Sequence, residues 1–368
     1  MNRRNFLKCA AVLGVSVTLG KTSAYANWLT NGKRNGFPQG MLLIDAHAHP
    51  DQFYYLGPEP KPQSWIDQFG DESSTLEEIK ELGMQGSSFS AIGDTPSSPL
   101  TWDQVILQIE KVITLEGKGL VKIVRRHEDM PHGGPPEGFI PGAILSLEGA
   151  TPLGGSTVLE NLGILYECGV RLITPMHYKA NDIGYVMTEI PSNGGGLTVI
   201  GQQMVERMMS LGMIVDVAHA YIDTLDGIAE IACIDGVPII DSHTSLTHRE
   251  NPYGTTRLRT FKEMEMVAET GGVVCTWPME WYVDESHHRT SFLDWAKENL
   301  EIARRIGIEH VGLGTDGGGG IPELIDGYGS ILDLPKLAEA MEKVGFKRRD
   351  IEAYMGGNLL RVVKKCIG

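Results

Sequence analysis

Cysteine is scarce in this sequence, with five residues in 368. Cys9 lies near the N-terminus, and Cys168, Cys233, Cys275 and Cys366 form no close pairs, so no disulfide framework is implied. Positive charge is also short: 32 Lys and Arg face 47 Asp and Glu, for a formal net charge of −15. Phosphate binding needs a basic footprint, so nucleic acid is excluded as the expected partner. Long apolar runs are missing too. The run at 10–19 is too short for a stable membrane span, and no later run is long and apolar enough, so no stable membrane insertion is expected. The absence of a G-x-S-x-G elbow disfavours a serine hydrolase. No internal repeat, low-complexity tract or linker divides the chain into two domains.

The N-terminus does carry a distinct pattern. MNRRNFLKCAAVLGVSVTLG places Arg3-Arg4 ahead of Phe6, Leu7, Lys8 and an apolar run, the form of a twin-arginine export signal. Ala24-Tyr25-Ala26 is an A-x-A cleavage site, so residues 1–26 read as signal and 27–368 as the mature chain, exported to the periplasm or an equivalent compartment. Residues 1–26 hold Arg3, Arg4, Lys8 and Lys21 and no acid, so their removal takes the net charge from −15 to −19. The twin-arginine route carries folded proteins, which suits a chain loaded with metal before export.

The stretch 212–245 organises the rest. Two apolar runs, 213–217 and 237–240, each lead to a histidine, His219 and His243. Between them Leu225, Ile228, Ala229, Ile231 and Ala232 have helical spacing, closed by Gly236. This is a βαβ unit with parallel strands. Further strand signals fall at 41–46, 86–92, 143–147, 170–174, 273–277 and 310–314. They alternate with helical patterns at 75–82, 101–115, 157–168, 198–211, 261–269 and 292–306, and helices at 334–344 and 350–365 follow. Eight strands alternating with helices predict an α/β fold of the (β/α)8 TIM-barrel type, in which the C-terminal strand ends form the chemical rim.

Polar residues gather at those strand ends. They are His47 and His49 on strand one, Glu148 on three, His177 on four, His219 on five, His243 on six and Asp316 on eight. H-x-H puts both imidazoles on one side of an extended strand. Singly, each residue has a plain alternative: Glu148 as a salt-bridge partner, Asp316 as a turn residue before the glycines at 317–320, His177 as a loop histidine. Together, at matching positions, they favour metal ligation, since burying so many polar groups unpaired would cost several kcal/mol. The glycine run reads less as a phosphate cradle than as small residues allowing close approach. Arg125, Arg126, His127 and His132 read as solvated loop residues, and His287-His288 as surface.

Several stretches resemble the membrane (renal) dipeptidase family. They are GLTVIGQQMVERMMSLGMIVDVAH, ILSLEGA, RLITPMHYKAND, PIIDSHTS, HVGLGTDGGGG and MGGNLLRV, in family order over nearly the whole mature chain. The resemblance implies a metallo-dependent hydrolase barrel with two bridged zinc ions that cleaves dipeptides, and a homodimer. It implies Glu148 as the bridging carboxylate, His47 and the residue two further on as ligands of one zinc, and His219 and His243 as ligands of the other. Asp316 would be the acid/base and His177 would hold the scissile carbonyl. Two positions depart from the family. Its usual H-x-D is here His47-Ala48-His49. Its arginine for the substrate carboxylate, usually in an R-N pair, is matched only by TTRLRT, where Arg257 and Arg259 are both candidates. The leading expectation is therefore an exported zinc dipeptidase. A metal-dependent barrel amidohydrolase acting on another amide, lactam or lactone is the alternative that His49 favours. A non-catalytic metal-binding or receptor protein is disfavoured by the intact Asp316 and the full ligand set.

Overall fold

A computed structural model describes Lys33–Arg34, Phe37–Pro38 and residues 41–69, 74–131, 139–189, 195–248, 257–284 and 287–368. The expected signal at 1–26 lies outside the described residues, as does His132. The chain divides into two units at Gln39 and Gly40. In the first, Lys33–Arg34 pairs antiparallel with Phe37–Pro38; the second carries everything below.

Eight parallel strands ring the second unit: β1 Ile44–Asp45, β2 Gly86–Ile92, β3 Gly142–Glu148, β4 Leu172–Thr174, β5 Ile214–Val215, β6 Ile240–Leu246, β7 Val273–Thr276 and β8 Val311–Leu313. Neighbours pair in sequence order from β1 to β5 and from β6 to β8. A parallel bridge between Asp216 and Ile240 joins β5 to β6. The ring closes where Ala46 N donates to Leu313 O (3.0 Å), Asp316 N donates to His47 O (2.8 Å) and Ala48 bridges Gly317. The expected TIM-type barrel is the fold observed, with a helix in each crossover and a further short one, Gln63–Phe69, in the connection from β1 to β2.

Those helices are α1 Leu76–Leu82, α2 Trp102–Gly117, α3 Val158–Cys168, α4 Val199–Leu211, α5 Ile222–Asp235, α6 Phe261–Glu269 and α7 Phe292–Ile306, with α8 Leu334–Val344 and α9 Asn358–Cys366 after β8. Local chemistry sets their ends. Thr75–Glu78, Thr101–Gln104 and Thr260–Glu263 form capping boxes, and Gly83, Gly169, Gly212 and Gly236 end α1, α3, α4 and α5 in the left-handed conformation.

The two mouths of the barrel differ. At the N-terminal end Ile44, Ile144, Leu172, Ile214, Ile240 and Val273 pack against Leu359, Val362, Val363 and Cys366 of α9, so an apolar helix face plugs the bottom. Fully burying such a side chain contributes about 1.5–3 kcal/mol. The polar rim is thus left to the other end.

Three expectations are corrected. The sixth strand runs from Ile240 through His243 to Leu246, later than 237–240, because its polar run Asp-Ser-His-Thr-Ser is fully buried and hydrogen-bonded inside the barrel. The helix expected at 350–365 is three pieces, Arg348–Glu352, a π turn Ala353–Gly357 and α9. Its break has a steric cause: a Cβ on Gly356 would stand 2.9 Å from Ile44 N and 3.0 Å from Leu42 O, so the turn lies against the entry to β1. Arg125 is no solvated loop residue, for its guanidinium makes a two-pronged bond to Glu116 (2.9 and 2.8 Å).

Candidate metal centre

Three barrel strands place an aspartate shortly before a rim histidine: Asp45-Ala46-His47, Asp216-Val217-Ala218-His219 and Asp241-Ser242-His243. All three carboxylates are buried. Asp45 accepts from His47 N (3.2 Å), Thr315 N (2.8 Å) and the Thr315 hydroxyl (2.5 Å), tying β1 to the end of β8. Burial still pushes its pKa up to about 6 against those bonds. Asp216 accepts from Ala218 N (3.0 Å) and Ser242 N (2.9 Å) at one oxygen and from the Thr174 and Ser242 hydroxyls (both 2.6 Å) at the other. These bonds join β4, β5 and β6 under the rim and set the direction in which the chain leaves each strand.

The same neighbours fix the imidazoles. His49 Nδ1 is 2.7 Å from Ser90 O, which can only accept, so Nδ1 carries a proton and Nε2 is the nitrogen turned to the site. The Ser242 hydroxyl has given its proton to Asp216, so it accepts from His243 Nδ1 (2.9 Å) and leaves His243 Nε2 with a lone pair. His177 Nδ1 donates to Asp94 Oδ1 at 2.7 Å. Both nitrogens of His47 are buried without a hydrogen bond.

Glu148, at the end of β3, is where these groups meet. Its Oε1 lies 3.0 Å from His219 Nε2, 3.5 Å from His47 Nε2 and 3.6 Å from His243 Nε2; its Oε2 lies 3.5 Å from His49 Nε2 and 3.6 Å from His177 Nε2. His219 Nε2 also stands 2.9 Å from His243 Nε2. Asp316 Oδ1 approaches His49 Nε2 (3.5 Å) and His47 Nε2 (3.9 Å). Potential ligand atoms of His47, His49 and Glu148, and of Glu148, His177 and His219, lie within 4.8 Å of one another. His47, Asp216 and His243 form a third such group, but both Asp216 oxygens are already committed to the bonds above.

The electrostatics suit a cation. Burial pushes His219 down to about 3, helped by the Arg257 charge, and holds His243 well below its usual range, so both are neutral imidazoles. Burial opposes charge on Glu148, yet His177 and His47 outweigh it and keep the carboxyl well below its usual range. At His49 burial is again outweighed: Asp316 and Glu148 push the imidazole up to about 10. Two buried carboxylates thus draw positive charge to the spot where Nε2 lone pairs converge. The unsatisfied His47 nitrogens and this donor set of imidazole and carboxylate fit a divalent metal.

Two site residues sit in the left-handed region that disfavours any residue but glycine: His219 at φ 66° and Asp316 at φ 50°. Such strain costs roughly 1–3 kcal/mol per residue and gathers at functional sites. The glycines at 317–320 supply room rather than an anion cradle. A Cβ on Gly319 would fall 2.0 Å from Asp316 Oδ1, and one on Gly318 2.5 Å from His49 O.

A cavity of about 500 Å³ opens beside Asp316, walled by Tyr178, Arg257, Trp277, Met279, Trp281 and Ile321 among others. The two candidate arginines part company here. Arg257 lines the cavity, its guanidinium 5.4 Å from the centre of the Tyr178 ring. Arg259 is corrected as a substrate candidate. It is 1 % exposed, and its donors are spent on Asp241, Glu263, Val217 O and Ala220 O.

The sequence brought forward His47, His49, Glu148, His177, His219, His243 and Asp316, and all seven converge at one mouth. It passed over Asp94, Asp216 and Ser242, which orient the imidazoles. The aspartate recurring ahead of His47, His219 and His243 was a signal for Asp216; Asp94, in a loop, left none.

Residues 102–366 match the family described as membrane dipeptidase, Peptidase family M19. The chain belongs to the membrane dipeptidase family. The match begins after β1, so His47-Ala48-His49 lies outside it. Among curated relatives of this family member, Dipeptidase tcpJ of Claviceps purpurea is 28% identical over 232 residues, 61% of this chain and 50% of that protein. The chain spans about half the length of the curated relatives it matches. Two solved structures share the fold. Dipeptidase AC, a metallopeptidase, has a TM-score of 0.73 at 20% identity, covering 90% of this chain and 100% of that one. A metallopeptidase from Rhodobacter sphaeroides liganded with a phosphinate mimic of L-Ala-D-Ala has a TM-score of 0.73 at 19% identity, covering 89% and 99%.

Proposed function

We propose that this family member hydrolyses the peptide bond of dipeptides, using two zinc ions held at the barrel rim, and that it is exported. The observation that carries the reading is Glu148, one buried carboxylate whose two oxygens face different imidazoles: His219, His243 and His47 at Oε1, His49 and His177 at Oε2. His47 and His49 would hold one ion and His219 and His243 the other, with Glu148 between them. When bound, the ions would supply Lewis acidity and make water acidic enough to act as a nucleophile near neutral pH.

The chain's own groups have distinct tasks. Asp316, with Oδ1 at the edge of the ligand set and one side on the cavity, takes the proton of the attacking water and passes it to the leaving amine. Asp94 holds His177 by Nδ1, so that Nε2 faces the site, where the imidazole positions the scissile carbonyl group. Arg257 binds the free carboxylate of the substrate with its fork. The walls of Trp277, Trp281, Met279 and Tyr178 exclude water around the substrate side chains. Export rests on Arg3-Arg4 and Ala24-Tyr25-Ala26.

His49 supports a second reading, an amidohydrolase on blocked amides or lactams, because it removes a negative charge that would attract a free ammonium group. The first reading is tested by turnover of a simple dipeptide. A chelator should abolish it and zinc restore it; a chain that stays inactive on dipeptides with full metal, yet opens a lactam or N-acyl amide, belongs to the second.

A further inference from the structure

His219 sits strained in a tight turn at 217–220, and nearly every polar backbone group of that turn has a partner. Val217 N donates to Ile240 O (2.7 Å), Ala218 N to Asp216 Oδ1 (3.0 Å), Ala220 N to Val217 O (3.0 Å), and Met187 N to His219 O (2.8 Å). The carbonyls of Val217 and Ala220 have a common partner, 42 and 39 residues away respectively. Arg259 Nη2 donates to Val217 O at 2.6 Å and Nη1 to Ala220 O at 2.7 Å. The guanidinium is itself anchored, with Nε on Asp241 Oδ2 of β6 (2.7 Å) and Nη1 on Glu263 Oε1 of α6 (2.9 Å).

We propose that Arg259 is the positioning residue for His219, its rigid planar fork bracketing the strained turn so that the imidazole stays aimed at Glu148 and His243. The physical reason lies in the bracket. Relaxation of His219 from φ 66° to a negative value would shift one flank of the turn relative to the other. The two carbonyls on those flanks are held by two nitrogens of one delocalised group, whose spacing is fixed. A lysine has the charge but offers one compact ammonium and no fork. An arginine buried for charge balance alone would need only Asp241 and Glu263; the two carbonyl bonds have no such purpose.

The inference rests on His219 as a metal ligand, and its test separates the two. Full-length Arg259→Lys is titrated with cobalt(II) alone in competition with a chelator. One of the two ions is expected to bind roughly 10–100-fold more weakly than in wild type. The visible absorption of that ion should change as an imidazole is lost, while the other ion binds as before. Glu263→Gln keeps both carbonyl bonds and is expected to lower thermal stability with both affinities intact. If Arg259→Lys does not fold, the charge-neutral triple variant Arg259→Met, Asp241→Asn, Glu263→Gln is read in its place, with the same loss of one ion expected. Unchanged cobalt affinity in whichever of these folds, or an equal loss in Glu263→Gln, overturns the clamp. A wild-type chain that binds no cobalt overturns both the clamp and the metal centre on which it rests.

Discussion

At the scale of the residue, the rim divides into groups that hold charge and one that moves it. Asp316 is the proposed mover, kept by φ 50° and by the open space at Gly319 in a pose that a relaxed backbone would not give. Asp316→Asn keeps size and polarity and removes basicity. It should lower turnover about 10²–10⁴-fold, the usual contribution of a positioned general base, while metal content by elemental analysis stays near the wild-type value. Loss of metal in that variant would make Asp316 a ligand instead. His49 bears on specificity. Its Nε2 faces Glu148 and Asp316, and as a neutral ligand it leaves Glu148 the one carboxylate in the proposed ligand set. Weaker selection for a free substrate N-terminus should follow, relative to an enzyme with H-x-D. Comparing a free dipeptide with its N-acetyl form on wild type and on His49→Asp checks this. The variant should shift preference towards the free amine, and identical preferences in both proteins would show that the exchange is silent.

Elements follow local patterning except where the barrel interior overrides it. The helices Phe261–Glu269, Phe292–Ile306 and Leu334–Val344 and the strand Gly86–Ile92 were legible to the residue, since caps and apolar spacing are short-range signals. The sixth strand was not: its core-facing residues are polar, so the apolar run that announces a strand ends where the strand begins. The antiparallel pair Trp281–Asp284 with His287–Arg289 had no signal of its own, and the His287-His288 pair read as surface belongs to it. The seven rim residues were legible because strand ends share a register. The choice between Arg257 and Arg259 was not, because two residues apart in sequence they serve a cavity and a buried turn. The Glu116–Arg125 pair links the end of α2 to the loop below β3. Burial pushes Glu116 up, but the Arg125 fork and the Ile123 N–H outweigh it and hold its carboxyl below the usual range. A depressed folded value means that the pair stabilises the fold fully above the ordinary glutamate pKa of 4.5 and loses that effect as pH falls through the lower folded value. Glu116→Gln should therefore lower the unfolding free energy from urea titration at pH 7, by under about 1 kcal/mol for so exposed a pair, and the difference should close in acid. A difference that persists at the lowest pH would assign the effect to packing.

On the scale of the whole molecule, the barrel separates stability from chemistry. Its N-terminal mouth is sealed by the apolar face of α9, and its C-terminal mouth gathers buried carboxylates and imidazoles whose mutual arrangement calls for bound cations. A metal that binds only the folded chain stabilises it by mass action, so thermal stability and activity should rise together as zinc is added back. The central claim is that Glu148 bridges two ions, and the most direct measurement is metal content and dipeptide turnover on the same samples of wild type and Glu148→Gln. The account predicts close to two zinc ions per chain and active wild type, with the variant losing occupancy and nearly all turnover. A Glu148→Gln protein that keeps two ions and full activity would contradict it.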